Sequence, residues 1–314
     1  KDFSKPQAFH DTPVTRSGGI AAIISLGIFF YIYFLLYSEV LYNYIFISCS
    51  VFTIGFLDDL RINIKPLSRL IIMILLLFTF IYVLPIKLLN IDIPFLASLM
   101  SSHIFSSIFV LLCFLFVING ANLIDGFNGL LTINLIIINI ILTYININNG
   151  NLEFSILIIS QIIILLSFLL FNFPNAKIFL GDSGAYTMGA LVGLNTIITN
   201  NLNPEISSFF FCTLLFYLFF EVFFSFLRKL LQKKSPIYPD DKHLHMLSFY
   251  KISNIYGKNK GNYLNSIIIN LFYLILIMPG LYLLYDPQLS RYWFFILLLI
   301  YLIIYSRLYR FTKN

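Results

Sequence analysis

Ten stretches of about 20 predominantly apolar residues restrict the possible folds of this chain more than any other feature. An α-helix of that length crosses the hydrocarbon core of a bilayer. The apolar runs are continuous and do not alternate, which favours helices over a membrane β-barrel. The sequence therefore predicts an all-α, polytopic membrane bundle with about ten transmembrane helices, formed as one domain by residues 1–314. The predicted stretches begin near Gly18, Val40, Leu70, Ile104, Leu130, Glu153, Gly184, Ile206, Tyr263 and Tyr292.

The charged residues lead to the same conclusion. They make up 11% of the 314 positions, whereas soluble globular domains contain about 25%. So few charges cannot cover a water-exposed surface of this size. The composition therefore excludes a water-soluble globular domain and makes membrane lipid the expected surroundings of most of the surface.

The distribution of basic residues predicts the orientation of the chain. If the N-terminus is cytoplasmic, all of the 20 Lys and Arg residues fall in cytoplasmic segments except Lys87 and Arg291. Basic residues are enriched in cytoplasmic loops of membrane proteins. The net charge of +6 then follows from membrane topology and from anionic ligands, and no nucleic-acid partner is expected.

Five polar segments lie on this predicted cytoplasmic side. Taken singly, each has an ordinary explanation, such as a helix cap for an aspartate or an exposed loop for His243 and His245. Together they bring carboxylates, amides, basic groups and glycines to one face of a membrane protein, where polar groups are costly and are candidates for function. The segments span residues 10–19, 58–69, 119–129, 172–184 and 235–245.

This mixture of side chains suits a reaction between phosphorylated molecules. Carboxylate and amide oxygens bind Mg²⁺, which keeps coordination positions for phosphate oxygens. Glycines allow backbone N–H groups and helix N-termini to approach phosphate closely. Arginine and lysine neutralise further phosphate charge. The sequence therefore predicts metal-assisted phosphoryl transfer at a membrane surface.

The five segments also carry ordered motifs. They are His-x-x-Pro-x-x-Arg-x-Gly-Gly from His10, the pair Asp58-Asp59, Asn-x-x-Asn-Leu-x-Asp-Gly-x-x-Gly-Leu from Asn119, Phe-x-Gly-Asp-Ser-Gly from Phe179, and His243-x-His245. In this order, the motifs resemble those of the polyprenyl-phosphate N-acetylhexosamine-1-phosphate transferases of glycosyltransferase family 4. That family includes undecaprenyl-phosphate GlcNAc-1-phosphate transferases and the phospho-MurNAc-pentapeptide translocases.

The resemblance implies a reaction and a location. A UDP-N-acetylhexosamine would donate its sugar 1-phosphate to undecaprenyl phosphate, with release of UMP and a requirement for Mg²⁺ or, alternatively, Mn²⁺. The enzyme would lie in the bacterial inner membrane with its active site facing the cytoplasm. Family members usually have one more helix before the His10 loop, so we expect eleven helices in a full-length protein. A homodimer is compatible with the resemblance.

The resemblance also implies roles for individual residues. It makes Asp58, Asp59 and Asp125 the catalytic carboxylates, and it makes Asp182 and Asn122 the metal ligands. Substrate binding would involve Arg69, Asn119, Asn128, Phe179, His243 and His245. Within this set, Phe179 would stack on uracil, Asn128 would recognise it, and Arg69 would hold phosphate.

Two departures from the family pattern bear on the substrate. Many relatives have aspartate where this chain has Asn128, and Met246 stands where many have a third histidine. The second departure argues against a peptidoglycan translocase and favours an enzyme that initiates O-antigen, capsule or teichoic-acid synthesis. A transporter or an inactive family relative is the alternative. The role of Glu221, which is either a site residue or a buried, paired carboxylate, stays open.

Overall fold

The computed structural model describes residues 14–60, 62, 64–235 and 240–312, so His10 and Arg61 lie outside the described residues. The regular secondary structure of this part of the chain is helical, apart from a single bridge that pairs Thr15 with Ile178. The helices are α1 (Gly18–Tyr37), α2 (Tyr42–Asp59), α3 (Pro66–Val83), α4 (Pro94–Leu99), α5 (His103–Ile124), α6 (Leu130–Asn148), α7 (Leu152–Asn172), α8 (Gly181–Leu202), α9 (Ser208–Leu214), α10 (Phe216–Leu231), α11 (Leu244–Tyr256), α12 (Lys258–Tyr282) and α13 (Pro287–Phe311).

Every predicted apolar stretch coincides with a long helix or with the bent pair α9 and α10, so the all-α membrane fold is confirmed. The predicted number of spans, about ten, is higher than the number of helices that are long and apolar enough to cross a membrane. Within the described residues, seven helices satisfy both criteria, or up to eight if the pair bent by 76° forms one span. Helices α2 and α8 fall outside that number. Both carry polar residues that contact other helices, such as Tyr44 of α2 and Asn195 of α8.

Helix α8 lies at the centre of the bundle, and 18 of its 22 residues are buried. It packs against α1, α2, α5 and α6. Small residues allow these close approaches, since a side chain at Gly55 of α2 would collide with the backbone at Ser183. The same holds where Gly19 of α1 meets Gly184. Small residues at helix contacts are typical of membrane bundles.

A buried polar cluster fixes the middle of α8. Asn195 accepts a hydrogen bond from the Tyr44 hydroxyl at 2.8 Å and donates to Gln161 Oε1 at 2.8 Å and Asn139 Oδ1 at 3.1 Å. These partners belong to α2, α7 and α6. Hydrogen bonds between helices satisfy polar groups that lipid cannot. The cluster therefore sets the position of α8 relative to three neighbours.

The five polar segments come together at one end of the bundle. The N-terminus of α1 pairs with the turn before α8, where Gly18 N donates to Phe179 O at 2.9 Å. Asp59, at the end of α2, contacts the start of α8. Phe127, between α5 and α6, packs edge-to-face on His245 of α11. The predicted convergence on one face is therefore present in the folded chain.

Candidate active site

The N-terminus of α8 is capped by a side chain from another helix. Both carboxylate oxygens of Asp59 are used, because Oδ1 accepts from Asp182 N at 3.1 Å and Oδ2 accepts from Ser183 N at 3.0 Å. The Ser183 hydroxyl donates to the same Oδ2 at 2.7 Å. A carboxylate is favourable here because the first N–H groups of a helix lack partners within the helix and carry partial positive charge.

Gly181 makes this cap possible. Its φ of +77° is in the left-handed region that favours glycine, and a Cβ added there would lie 2.6 Å from Asp59 Oδ2. The Gly-Asp-Ser sequence therefore does two things at once. It turns the chain into α8 and leaves room for the carboxylate that receives its N–H groups.

The cap directs the Asp182 side chain toward α3 and α5. Asp182 Oδ1 accepts a hydrogen bond from Asn122 Nδ2 at 3.1 Å, and Oδ2 lies 3.4 Å from Arg69 Nη1. Arg16 Nη1 is 3.9 Å from Oδ1. The Asp182 side chain keeps 20% of its surface exposed, so it faces an accessible part of the cluster.

Arg69 joins two of the predicted carboxylates. Its Nη1 lies 2.8 Å from Asp58 Oδ2 as well as 3.4 Å from Asp182. The side chains of Arg69 and Asp58 are 24% and 28% exposed. Because one guanidinium serves two partly exposed carboxylates, it has donors left for a further anion.

Asp125 follows the last residue of α5 and is half-buried beside the same cluster. Burial raises the pKa of its carboxyl well above the usual range, and the charge of Asp182 adds to the rise, while Arg16 opposes it. Around it, the three carboxylates of Asp58, Asp59 and Asp182 are paired with only two arginines, Arg16 and Arg69. A cation bound here would reduce this repulsion.

The residues that can hold a metal ion are Asp182 and Asn122. No group of three or more His, Cys, Asp and Glu side chains in the described part of the chain is arranged for a metal. Mg²⁺ sites on phosphorylated substrates commonly use one or two carboxylates and fill the other positions with phosphate and water. One carboxylate beside one amide, at a site rich in negative charge, fits that pattern.

The side chains of two predicted substrate-binding residues form hydrogen bonds within the protein. Asn119 donates to Leu115 O, one turn earlier in α5, at 2.7 Å. Asn128 donates from Nδ2 to Pro174 O at 2.7 Å, and its backbone N–H donates to Asn262 Oδ1 at 2.9 Å. Asn128 Oδ1 is buried and has no hydrogen-bond partner among the residues that the structure describes. Their roles in substrate binding stay predictions.

Phe179 lies in the extended link before α8. Its backbone N–H donates to Thr15 O at 2.8 Å, and its carbonyl accepts from Gly18 N. The link is fixed on its other side by Asn172, which donates to Ile178 O at 2.9 Å. Phe179 therefore stands between the first and fourth polar segments, and its predicted contact with uracil stays a prediction.

His243 and His245 are not exposed loop residues, and that ordinary explanation is wrong. His243 is 2% exposed and His245 is fully buried. His243 lies between two carboxylates, with Nδ1 3.2 Å from Glu221 Oε1 and Nε2 3.2 Å from Asp240 Oδ1. Because both ring nitrogens are occupied, contact between His243 and a substrate would require one of these pairs to open.

Glu221 is a buried and paired carboxylate, which was one of the two roles that the sequence left open. It accepts from His243, from the backbone N–H of Leu244 at 2.9 Å, and from the Tyr301 hydroxyl at 2.6 Å. It therefore ties the start of α11 to α10 and α13. Asp240 completes this arrangement through an ion pair with Arg228 at 2.9 Å.

His245 has a free ring nitrogen. Its Nδ1 lies 3.4 Å from the Tyr217 hydroxyl, whereas Nε2 has no partner in the described structure. Burial lowers the pKa of His245 to about 3, although the charge of Glu221 opposes the shift. The ring is therefore neutral near pH 7, and of the two histidines it is the one with an unused nitrogen.

Several residues around Asp182 and Glu221 were not singled out from the sequence. Tyr186 and Tyr301 had no assigned role, and Arg16 and Ser183 were noted only as parts of motifs. The spacing could have indicated Tyr186, because a residue four positions after Asp182 lies on the same helix face. No local pattern could have indicated Tyr301, which is 80 positions from Glu221.

Most residues around Asp182 lie in a part of the chain that is similar to a known protein family. The family profile described as Glycosyl transferase family 4 matches residues 41–200, about half of the chain. The chain belongs to this family. The matched range contains Asp58, Asp59, Asn122 and Asp182, and it confirms the family resemblance drawn from the motifs.

Curated relatives agree with the family assignment. An undecaprenyl-phosphate alpha-N-acetylglucosaminyl 1-phosphate transferase from Thermotoga maritima is 29% identical over 251 residues, which cover 80% of this chain and 76% of the relative. A phospho-N-acetylmuramoyl-pentapeptide-transferase from Streptococcus thermophilus is 35% identical over 153 residues, 46% of this chain and 44% of the relative. A Clostridium perfringens protein of the same name is 32% identical over 153 residues, 46% of this chain and 48% of the relative. The last two matches span less than half the length of each relative.

Proposed function

We propose that this protein transfers an N-acetylhexosamine 1-phosphate from a UDP-sugar to undecaprenyl phosphate and releases UMP. The observation that carries the proposal is the convergence of Asp58, Arg69, Asn122 and Asp182 from four helices at one end of a membrane bundle. A site for two phosphorylated substrates, one of them a lipid, has to combine anion binding with access from the membrane. Family membership and the Thermotoga maritima relative support the same reaction class.

The reaction forms one bond and breaks one. A phosphate oxygen of the lipid attacks the phosphorus that bears the sugar, and the bond from that phosphorus to the UMP oxygen breaks. The products are a lipid diphosphate sugar and UMP. A phosphate monoester has a second pKa of about 6, so the attacking phosphate is already mostly dianionic near neutral pH. The protein therefore has to bring two anions together more than it has to remove a proton.

Arg69 and Asp58 suit the acceptor end of this reaction. Arg69 is partly exposed and shares its guanidinium between Asp58 and Asp182. A phosphate oxygen entering beside it would gain a charge-assisted hydrogen bond. Asp58 would then fix the direction of the guanidinium. Asp59 would act through the protein, since both its oxygens hold the start of α8.

We propose Mg²⁺ as the metal, with Mn²⁺ as an alternative, and Asp182 and Asn122 as its protein ligands. Their chemistry fits, because a carboxylate oxygen and an amide oxygen are ligands that this ion accepts. When bound, the ion would neutralise charge on the diphosphate and on the leaving UMP. The half-buried carboxyl of Asp125 interacts electrostatically with Asp182, and its proposed catalytic role rests on the motif.

The nucleotide end of the site would lie along Phe179, Asn119 and Asn128, and the sugar end near His245. These assignments rest on the motifs. The enzyme would lie in a bacterial inner membrane with this face toward the cytoplasm, where the basic residues concentrate. Met246 in place of a third histidine favours an O-antigen, capsule or teichoic-acid type pathway over peptidoglycan synthesis.

The function is tested by assaying purified protein with undecaprenyl phosphate, Mg²⁺ and a panel of UDP-N-acetylhexosamines. We expect UMP release that requires both the lipid and the metal, together with a labelled lipid product for at least one sugar. A transporter would instead move a solute across proteoliposomes without UMP release. Absence of UMP release with every sugar would contradict the proposal and favour an inactive relative.

Direct attack by the lipid phosphate is expected, without a covalent enzyme intermediate. Both oxygens of Asp59 accept hydrogen bonds from α8, which leaves neither free for nucleophilic attack. Asp58 is paired through Oδ2 with Arg69 at 2.8 Å, which makes that oxygen a weaker nucleophile. Enzyme incubated with Mg²⁺ and labelled UDP-sugar, but no lipid, should release no stoichiometric UMP. The complete mixture serves as the positive control.

The opposite result would be a burst of UMP equal to the enzyme concentration, with label retained on the protein. Peptide mapping would then show whether Asp58 or Asp59 carries the label. That outcome would replace the one-step reaction by a two-step reaction and, for Asp59, would require a hydrogen bond to α8 to break.

A further inference from the structure

Tyr186 contains a buried hydroxyl that the contacts described above do not explain. The residue lies in α8, and its side chain is fully buried. The hydroxyl has no hydrogen-bond partner among the described residues. A buried hydroxyl without a hydrogen-bond partner destabilises the folded state, so a phenylalanine here would give a more stable protein unless the hydroxyl has a use.

The surroundings of Tyr186 place it beside the acceptor end of the proposed site. It follows Asp182 by four positions and therefore lies on the same face of α8, about 6 Å further along the helix axis. The guanidinium carbon of Arg69 is 5.8 Å from the centre of its ring. The same guanidinium contacts Asp58 and Asp182.

We propose that the Tyr186 hydroxyl donates a hydrogen bond to the phosphate of the lipid acceptor. The inference rests on the proposed function and adds a substrate-binding residue to it. Arg69 covers the tyrosine ring and is itself 24% exposed. Arg69 has donors left for a further anion, so a phosphate that pairs with it comes next to the tyrosine ring. A shift of the guanidinium toward this phosphate uncovers the phenol and brings an anionic oxygen to an unused donor.

The phosphate of a lipid is the ligand that this position favours. Tyr186 is one helical turn farther into the bundle than Asp182, on the side away from the start of α8. A phosphate attached to a polyprenyl chain enters from the membrane side, whereas a nucleotide enters from water. A phenol O–H binds anionic oxygen strongly and, unlike a lysine, adds no charge to a site that already holds two arginines.

Tyr186→Phe tests the inference because it removes one oxygen atom and keeps the ring under Arg69. The variant should unfold at the same temperature as the wild type or higher, since an unpaired hydroxyl is lost. The KM for undecaprenyl phosphate should rise, or kcat/KM for it should fall, by about 10- to 100-fold, as expected for a hydrogen bond to a charged group. The KM for the UDP-sugar should change little.

Tyr44→Phe is the matched control. Its hydroxyl donates to Asn195 at 2.8 Å in the middle of the bundle, so its loss should lower the unfolding temperature and leave the kinetics unchanged. The two variants are thus expected to show opposite patterns. Unchanged kinetics in Tyr186→Phe, with or without a change in stability, would overturn the inference.

A binding measurement separates this inference from the proposed function. Undecaprenyl phosphate alone, without UDP-sugar, should raise the unfolding temperature of the wild type and raise that of Tyr186→Phe much less. Equal shifts in the two proteins would overturn the inference even if the enzyme is active. If the wild type releases no UMP but shows the larger shift, the proposed reaction fails and the lipid-phosphate contact stands.

Discussion

Asp182→Asn should reduce turnover by roughly 100-fold to 1,000-fold or more, while the protein still inserts and folds. The substitution keeps the size of the side chain and leaves an oxygen that can face Asn122, but it removes the negative charge near Arg69 and the proposed metal. Several kcal/mol of transition-state stabilisation are expected from a bound metal, and each 1.36 kcal/mol is a factor of ten in rate. Rates of UMP release, measured over a range of Mg²⁺ concentrations, give the size of the loss.

Asp286→Asn is the matched control for this prediction. Asp286 also lies at a helix start, where its carboxylate accepts from Gln288 N and Leu289 N at 3.0 and 2.9 Å. Asparagine caps helices about as well as aspartate, so this variant should keep both folding and activity. Near-normal activity of Asp182→Asn at limiting Mg²⁺ would remove Asp182 from the metal site.

Asp59→Ala should have the second large effect, and it should act on stability as well as activity. The side chain is 5% exposed and receives two backbone N–H groups and one hydroxyl at the start of α8. Loss of a helix cap costs about 0.5–2 kcal/mol, and each buried donor left without a partner adds about 1–3 kcal/mol. We expect a loss of about 2–4 kcal/mol in the free energy of unfolding, measured by denaturation in detergent.

Activity should fall with this loss of stability, because the cap determines where the Asp182 carboxylate lies. The neighbouring change Asp58→Asn gives the contrast. Asp58 pairs with Arg69 at 2.8 Å and keeps 28% of its surface exposed, so its variant should lose activity with little change in stability. If Asp59→Ala were as stable as Asp58→Asn, the capping role of Asp59 would be wrong.

These two aspartates show why adjacent residues in the sequence differ in function. Asp58 and Asp59 are the last residues of α2, and successive helical positions point about 100° apart. Asp59 therefore faces α8, and Asp58 faces Arg69 on α3. The sequence grouped both as catalytic carboxylates. The structure separates one that can meet a substrate from one that holds the helix carrying Asp182.

The fifth segment shows a different limit of sequence reasoning. The motif His243-x-His245 predicted two substrate contacts of similar kind. In the folded chain, His243 is held between Glu221 and Asp240. His245 packs against Phe127, and its Nε2 has no partner among the described residues. Glu221 lies 22 positions before His243, so no local pattern could pair them.

The amino-acid sequence by itself determined that the chain is an all-α membrane protein, which family it belongs to, and which loops hold its polar residues. It could do so because hydrophobic length is a local property and because the motifs are continuous segments. The tertiary structure alone decided that Asp59 caps α8, that Arg69 joins Asp58 to Asp182, and that the Tyr186 hydroxyl has no hydrogen-bond partner within the described part of the chain. Those facts depend on contacts between helices 11 to 124 positions apart along the chain. Such contacts are set by the packing of small residues and buried polar groups in three dimensions, which no local pattern records.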